Sequence, residues 1–165
     1  MISSKNGYLR ERNINIMDLD EYDLKKGVDF TGISIVFICH DGNGNILMNK
    51  RSQNCRDEQG RWDIGGGSLE FGHKVEDTLK REIMEEYCTD ILGYEFLGFR
   101  DVLRDNNGQK THWIGLDFKV QVDRSKVKIG EPHKADEIGW YKWDKLPFPT
   151  HSQFPKFMEK YKGRL

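Results

Sequence analysis

Cysteine is scarce in this 165-residue chain, which holds only Cys39, Cys55 and Cys88. An odd count without CxxC spacing excludes a disulfide framework and offers no zinc-ligand pattern. Long apolar runs are also missing. The longest, around Ile33–Cys39, falls far short of the roughly 20 residues a membrane-spanning helix needs. The opening MISSKNGYLRERN carries no apolar stretch of the kind a secretory leader requires. We therefore expect a soluble protein in a reducing, cytoplasmic setting. Excess charge of either sign is the third absence, since 26 basic and 27 acidic residues leave a formal net charge of −1. Such a chain has no general attraction for nucleic acid or anionic membrane, so a polyanion must be met by a local site.

What is present is the composition of a globular domain: 36% hydrophobic and 12% aromatic residues, enough to build a core. Residues 1–27 are charged and weakly patterned. They are expected to form an N-terminal arm, with a strand around Leu9–Ile16, a short helix or a dimerisation element as its alternatives. Residues 28–165 read as one domain. Ile33–Cys39 is β-branched and apolar, as a buried strand should be. Asp41–Asn45 is a turn, and Ile46–Ser52 returns as the second arm of a hairpin. Arg61–Ile64 predicts a short strand running into Gly65–Gly67.

Residues 74–88 carry Val75, Leu79, Ile83 and Tyr87 at intervals of four, which predicts a helix. Tyr94–Val102 and His112–Val122 predict strands joined by a polar turn at Arg104–Lys110. Ile138–Trp143 predicts another strand, and Phe154–Tyr161 a packing helix. Mixed strands and helices of this kind imply an α/β (α+β) fold with a mixed sheet.

The predicted helix places Glu82, Glu85 and Glu86 within an arc of about 100°, overlapping the edge of its apolar stripe. A solvated charged face with Arg81 pairing to Glu85 would cost little. The other reading is a site for a hard divalent cation, which prefers oxygen ligands and is commonly shared with substrate phosphates. Glycines lacking Cβ atoms at Gly65–Gly67 would let backbone groups approach a ligand closely.

Taken together, these features resemble the Nudix hydrolase family, MutT-like members included. That family's signature is a Gly, five residues, a Glu, seven residues, then Arg-Glu-apolar-x-Glu-Glu-x-Gly-apolar. Gly67 takes the first place, and Arg81, Glu82, Ile83, Glu85 and Glu86 fill the central block in register. Flanking segments ISIVFICHDGNGNILMNKRS, GRWDIGGG and EIGWYKWDKLP are similar to the family's entry hairpin, box strand and late strand, so the resemblance covers roughly residues 30–147. His73 stands where the pattern has Glu, Cys88 where it has Gly, Thr89 where it has an apolar residue, and Gly65 where Pro is common.

The resemblance implies an α/β/α sandwich and hydrolysis of a phosphoanhydride bond in a nucleoside diphosphate linked to another group. LEFG, THWIGLDFKV and GEPHKADEIGWYKW look like a subgroup acting on nucleoside triphosphates, modified ones included. Nucleotide sugars or ADP-ribose, and a catalytically weakened nucleotide-binding module, are the alternatives. Implied metal ligands to Mg²⁺ or Mn²⁺ are Glu82, Glu85, Glu86 and the Gly66 carbonyl, with Arg81 holding the carboxylates. Arg51, Gly66 and Gly67 are candidate substrate contacts. The general base is open between Glu82, Glu85 and the later acids Glu131, Asp136 and Glu137. Trp62, Phe71 and Trp113 are expected in the core more than against a base, and His112 and His133 as ordinary polar residues. The expected partner is a small nucleotide, with no membrane or nucleic acid and with homodimerisation as a further expectation.

Overall fold

The computed structural model describes residues 23–106 and 108–165. The strand considered at Leu9–Ile16 lies outside them. A seven-stranded mixed sheet runs β3-β2-β1-β6-β5, with β4 joined to β1 and β7 to β2. Its strands are β1 (Gly32–His40), β2 (Asn45–Arg51), β3 (Trp62–Asp63), β4 (Gly65–Ser68), β5 (Ile91–Asn106), β6 (Gln109–Val122) and β7 (Ala135–Lys142); the helices are α1 (Val75–Tyr87) and α2 (Phe154–Tyr161).

Alternation along β1 builds two cores. Ile35, Phe37 and Cys39 face one way and pack with Leu79, Ile83 and Tyr87 of α1. Ile38 faces the other way, packing with Phe154, Phe157 and Tyr161 of α2. Side chains pointing alternately to opposite faces of a sheet require this split. The result is the expected α/β/α sandwich. Each fully buried large apolar side chain contributes about 1.5–3 kcal/mol, so the period-four stripe of α1 is enough to fix that helix on the sheet.

The hairpin at Asp41–Asn45 forms, with Asp41 Oδ1 accepting from the Asn43 and Asn45 backbone N–H groups. Its strands then part: β1 and β2 pair at His40–Ile46. The chain from Trp62 to Ser68 fills the opening, β3 pairing with β2 and β4 with β1. This splay carries the glycine run to the centre of the molecule. Strands β5 and β6 extend further than predicted, and their pairing continues to Asn106–Gln109. Most of the expected Arg104–Lys110 turn is therefore strand. Polar residues with exposed side chains still complete a β ladder when the opposite strand supplies the backbone partners.

Strand β5 is at an edge of the sheet, yet its backbone is not bare. Arg164 donates to the carbonyls of Leu97 (2.6 Å) and Phe96 (3.3 Å), and Lys160 donates to that of Phe99. Basic side chains placed so protect an edge from pairing with another strand.

Candidate active site

Helix α1 begins after Lys74 without a side-chain cap, and Glu76 and Asp77 occupy its first turn, where negative charge suits the helix dipole. It ends at Cys88, which has φ 54° and ψ 33° and whose N–H donates to Met84 O at 3.0 Å. Cys88 thus takes the left-handed conformation that the family's glycine would occupy. The last carbonyls of α1 are met from outside the helix. Lys128 N–H donates to Tyr87 O (3.0 Å) and Gly130 N–H to Glu86 O (2.9 Å). A Cβ on Gly130 would lie 1.9 Å from Glu85 O, so glycine is required there by close approach. Sequence reading missed this position, because only the packed structure brings residue 130 to the helix end.

The glycines of β4 lie directly against the helix carboxylates. A Cβ on Gly67 would fall 2.0 Å from the Glu82 carboxyl carbon, and one on Gly65 would fall 2.7 Å from Glu86 Oε2. Arg81 holds Glu82 through Nη2 (2.7 Å) and Glu85 through Nη1 (2.9 Å). The solvated-face pairing of Arg81 with Glu85 is therefore real, but it accounts for one glutamate of three. Glu82 is buried, and burial raises its carboxyl above the ordinary range, with Arg81 opposing and Glu85 adding to the rise.

Glu86 is the extreme case. Its Oε1 accepts from Gly66 N–H at 3.3 Å, whereas Oε2 is sealed from solvent with no hydrogen-bond partner. Burial pushes this carboxyl well up, the Gly66 N–H opposes the rise, and the nearby Glu82 and Glu131 carboxylates reinforce it. An orphaned buried oxygen of this kind costs about 1–3 kcal/mol, more for a charged group. Among the described residues no three His, Cys, Asp or Glu side chains are gathered into a ready metal cage.

A cavity of about 580 Å³ opens beside this cluster. Gly65–Gly67, Glu86, Glu131 and Arg51 line it. Glu82 and Glu85 do not line it. Glu131 reaches Lys134 at 2.7 Å. Arg51 sits in the wall but is already engaged, donating to Asp57 Oδ1 at 2.8 Å and standing 3.5 Å from Asp63. Glu137, opposite Lys50, and Asp136 are both exposed on β7 and do not line the cavity. The β2–β7 register shifts here, with Lys50 opposite Glu137 and Arg51 opposite Ala135, so Asp136 is the extra residue of a bulge.

Of the aromatic candidates, Trp62 is core, packed edge-on against Tyr141. Phe71 is wholly exposed, contrary to the core expectation, because it sits in the Glu70–His73 turn beyond the end of β4. Trp113 is half-buried in the cavity wall. His112 bonds Asp101 (3.1 Å) and Thr31 (3.3 Å), an ordinary polar role, whereas His133 lines the cavity. His73 is exposed, and among the described residues its side chain makes no hydrogen bond; the backbone N–H reaches Glu70 O at 3.1 Å.

The far wall holds residues that the sequence did not single out. Arg100 on β5 donates to both oxygens of Asp117 on β6, through Nε at 2.6 Å and Nη2 at 2.9 Å. Tyr161 of α2 donates to Asp117 Oδ2 at 2.7 Å. Seventeen residues separate the charges in sequence, and a bulge at Phe96–Gly98 helps set their register, so no local pattern announces the pair.

Comparison with known proteins places these features. The NUDIX domain family model matches residues 30–161. The chain belongs to the Nudix family. Among curated proteins, the oxidized purine nucleoside triphosphate hydrolase of Danio rerio is 27% identical over 120 residues, which span 70% of this chain and 69% of that protein. The nucleoside triphosphatase NudI of Escherichia coli K12 is 32% identical over 94 residues, 53% of this chain and 65% of NudI. Among solved structures, the MutT Nudix hydrolase of Burkholderia pseudomallei superposes with a TM-score of 0.69 at 25% identity, covering 79% of this chain and 97% of that one. The Nudix domain of Shewanella oneidensis NrtR, complexed with ADP-ribose, gives a TM-score of 0.66 at 16% identity over 90% and 96% of the two chains. This Nudix domain is thus a MutT-like Nudix hydrolase. Among the described residues, no helix is long and apolar enough to cross a membrane.

Proposed function

We propose that this chain hydrolyses a phosphoanhydride bond in nucleoside triphosphates, modified ones included, releasing the monophosphate and pyrophosphate. The observation that carries the reading is Glu86 Oε2, a sealed carboxylate oxygen without a partner beside the glycine strand. Native proteins satisfy the great majority of their buried polar groups, and exceptions call for a missing ion or a functional reason. Here the donor set is all oxygen, which fits a hard divalent cation such as Mg²⁺ or Mn²⁺. Glu82, Glu85, Glu86 and the Gly66 carbonyl would hold it. When bound, such an ion neutralises pyrophosphate charge and lowers the pKa of a bound water.

The chain's own residues supply the rest. Arg81 fixes the Glu82 and Glu85 carboxylates, and Gly66 N–H orients Glu86. Lys134, 2.7 Å from Glu131, brings positive charge to the cavity wall, where a phosphate chain benefits from it. Glu82, Glu85 and Glu131 remain the candidates to accept the proton of the attacking water, because a base must lie within hydrogen-bond reach of it or one water away. The triphosphate reading draws support from the names of the zebrafish and E. coli relatives.

The test is a panel of nucleoside triphosphates, nucleotide sugars and ADP-ribose, with Mg²⁺ and with Mn²⁺, scored for monophosphate and pyrophosphate. Turnover of triphosphates is expected, and turnover confined to the other classes would replace this reading. Nucleotide binding without any product would leave the weakened-module alternative standing. Assembly as a homodimer in the cytoplasm belongs to the same proposal, and a monomeric mass at micromolar concentration would remove the first part of it.

A further inference from the structure

Two guanidinium groups border the cavity, and both hold the same carboxylate. Arg51, at the end of β2, donates from Nη2 to Asp57 Oδ1 at 2.8 Å, and Arg104, on β5, donates from Nη1 to Asp57 Oδ2 at 2.8 Å. All three residues line the space that Gly65–Gly67 and Glu86 also line. Each oxygen of the carboxylate thus takes a donor from a different arginine. A phosphate group presents more acceptor oxygens and more negative charge to the same two donors, and arginine recognises it by the same forked geometry.

The rest of the network would survive the departure of that carboxylate. Arg51 also donates through Nε (3.1 Å) and Nη2 (3.0 Å) to the Asp57 backbone carbonyl, and its Nη1 stands 3.5 Å from Asp63. Arg104 Nη2 donates to Glu58 Oε1 at 2.7 Å, and Glu58 Oε2 accepts from the Ser152 backbone N–H at 2.7 Å. Both guanidiniums are therefore held by groups other than the Asp57 side chain. The same ties hold Glu58 at φ 49°, a left-handed conformation that an L residue keeps when its surroundings enforce it. A side-chain rotation at Asp57 is then enough to release one donor on each arginine. Room for it exists, because Asp57 and Arg104 also border a second cavity of about 780 Å³ whose lining includes Lys26, Arg56 and Gln59. The Asp57 side chain is 18% exposed, so an incoming anion can reach it.

We propose that Asp57 is a built-in competitor for phosphate: it occupies Arg51 and Arg104 in the free protein, and a phosphate group of the bound nucleotide displaces it. Glu58 and Asp63 are the positioning residues for the two arginines. The proposal rests on the nucleotide reading above and adds to it a contact that weakens binding until it is displaced.

Inorganic pyrophosphate without divalent cation is the probe, titrated by calorimetry into the full chain, so no turnover is required. A side chain that occupies a site more than about nine-tenths of the time lowers the apparent affinity of its competitor at least about tenfold. Asp57→Asn should therefore bind pyrophosphate at least about tenfold more tightly than the unmodified chain, and adding Arg104→Gln to it should abolish the gain. Glu58→Gln removes the same charge from the same loop but unseats Arg104, so it should give no gain. Unchanged or weaker binding by Asp57→Asn, no binding by either chain at millimolar concentration, or an equal gain in Glu58→Gln would overturn the proposal. Should Asp57→Asn fail to fold, the unmodified chain decides by NMR. Millimolar pyrophosphate should move the carboxyl carbon resonance of Asp57, and a resonance that stays in place would overturn the proposal as well. A gain in Asp57→Asn by a chain that releases no product from any triphosphate would uphold Asp57 and sink the hydrolytic reading. Triphosphate turnover with no such gain would do the opposite.

Discussion

Two acids, Asp117 and Glu86, keep carboxylate oxygens out of solvent, and they are treated in opposite ways. Asp117 on β6 receives three hydrogen bonds, two from Arg100 and one from Tyr161, and it is fully enclosed. Glu86 on α1 receives one long bond from Gly66 N–H, and its second oxygen receives none. A buried charge with a matched partner can be tolerated for structure alone. One without a partner destabilises the fold, and its retention points to a ligand. The contrast separates an acid matched by partners within the fold from the acid we propose as a metal ligand.

The largest effect should come from breaking the satisfied side. Asp117→Asn leaves the Arg100 guanidinium buried against a neutral amide, and should cost about 3–5 kcal/mol in urea unfolding. A loss below about 1 kcal/mol would mean the pair is not the anchor described.

Glu86→Gln should do the reverse. It removes a carboxyl that burial, Glu82 and Glu131 all disfavour as a charge, so the melting temperature should hold or rise. Hydrolysis should fall about 10²–10³-fold, equivalent to roughly 3–4 kcal/mol of transition-state stabilisation. A melting temperature several degrees lower would show that Glu86 is as structural as Asp117.

A third check needs no change in the catalytic rate. Saturating Mg²⁺ should stabilise the unmodified chain by about 2–3 kcal/mol at a hundred times its dissociation constant, and Glu86→Gln should lose most of that gain. Equal stabilisation of both would place the ion elsewhere.

The smallest expected change is at the helix end that carries Glu86. Cys88→Gly removes a Cβ from a residue at φ 54°, and should add about 1 kcal/mol in stability with activity kept. Destabilisation would show that the thiol packing near Gly130 outweighs the backbone strain.

Much of one acid's setting was legible from sequence, and little of the other's. The period-four stripe from Val75 to Tyr87 located α1, and the spacing from Gly67 to Glu86 located the glycine strand against it. Both are local or fixed-gap patterns that survive in a single sequence. The strain at Cys88 was foreseeable too, since the family's glycine marks a backbone conformation there. Arg100 and Asp117 meet through the register of two long strands, and periodicity does not encode register. Gly130 matters because of a helix carbonyl packed beside it, and no local pattern encodes that contact. Phe71 was misjudged because an aromatic side chain in a turn has no periodic context to place it.

The central claim is that the poorly satisfied carboxylate cluster is a working hydrolytic site. The most direct measurement is the rate of pyrophosphate and nucleoside monophosphate release from nucleoside triphosphates with Mg²⁺, for the unmodified chain, Glu86→Gln and His73→Glu. The account predicts turnover by the unmodified chain, loss in Glu86→Gln, and less than about a tenfold change in His73→Glu, whose position is exposed. Turnover that survives Glu86→Gln, or that emerges only once His73 is replaced by Glu, would contradict it.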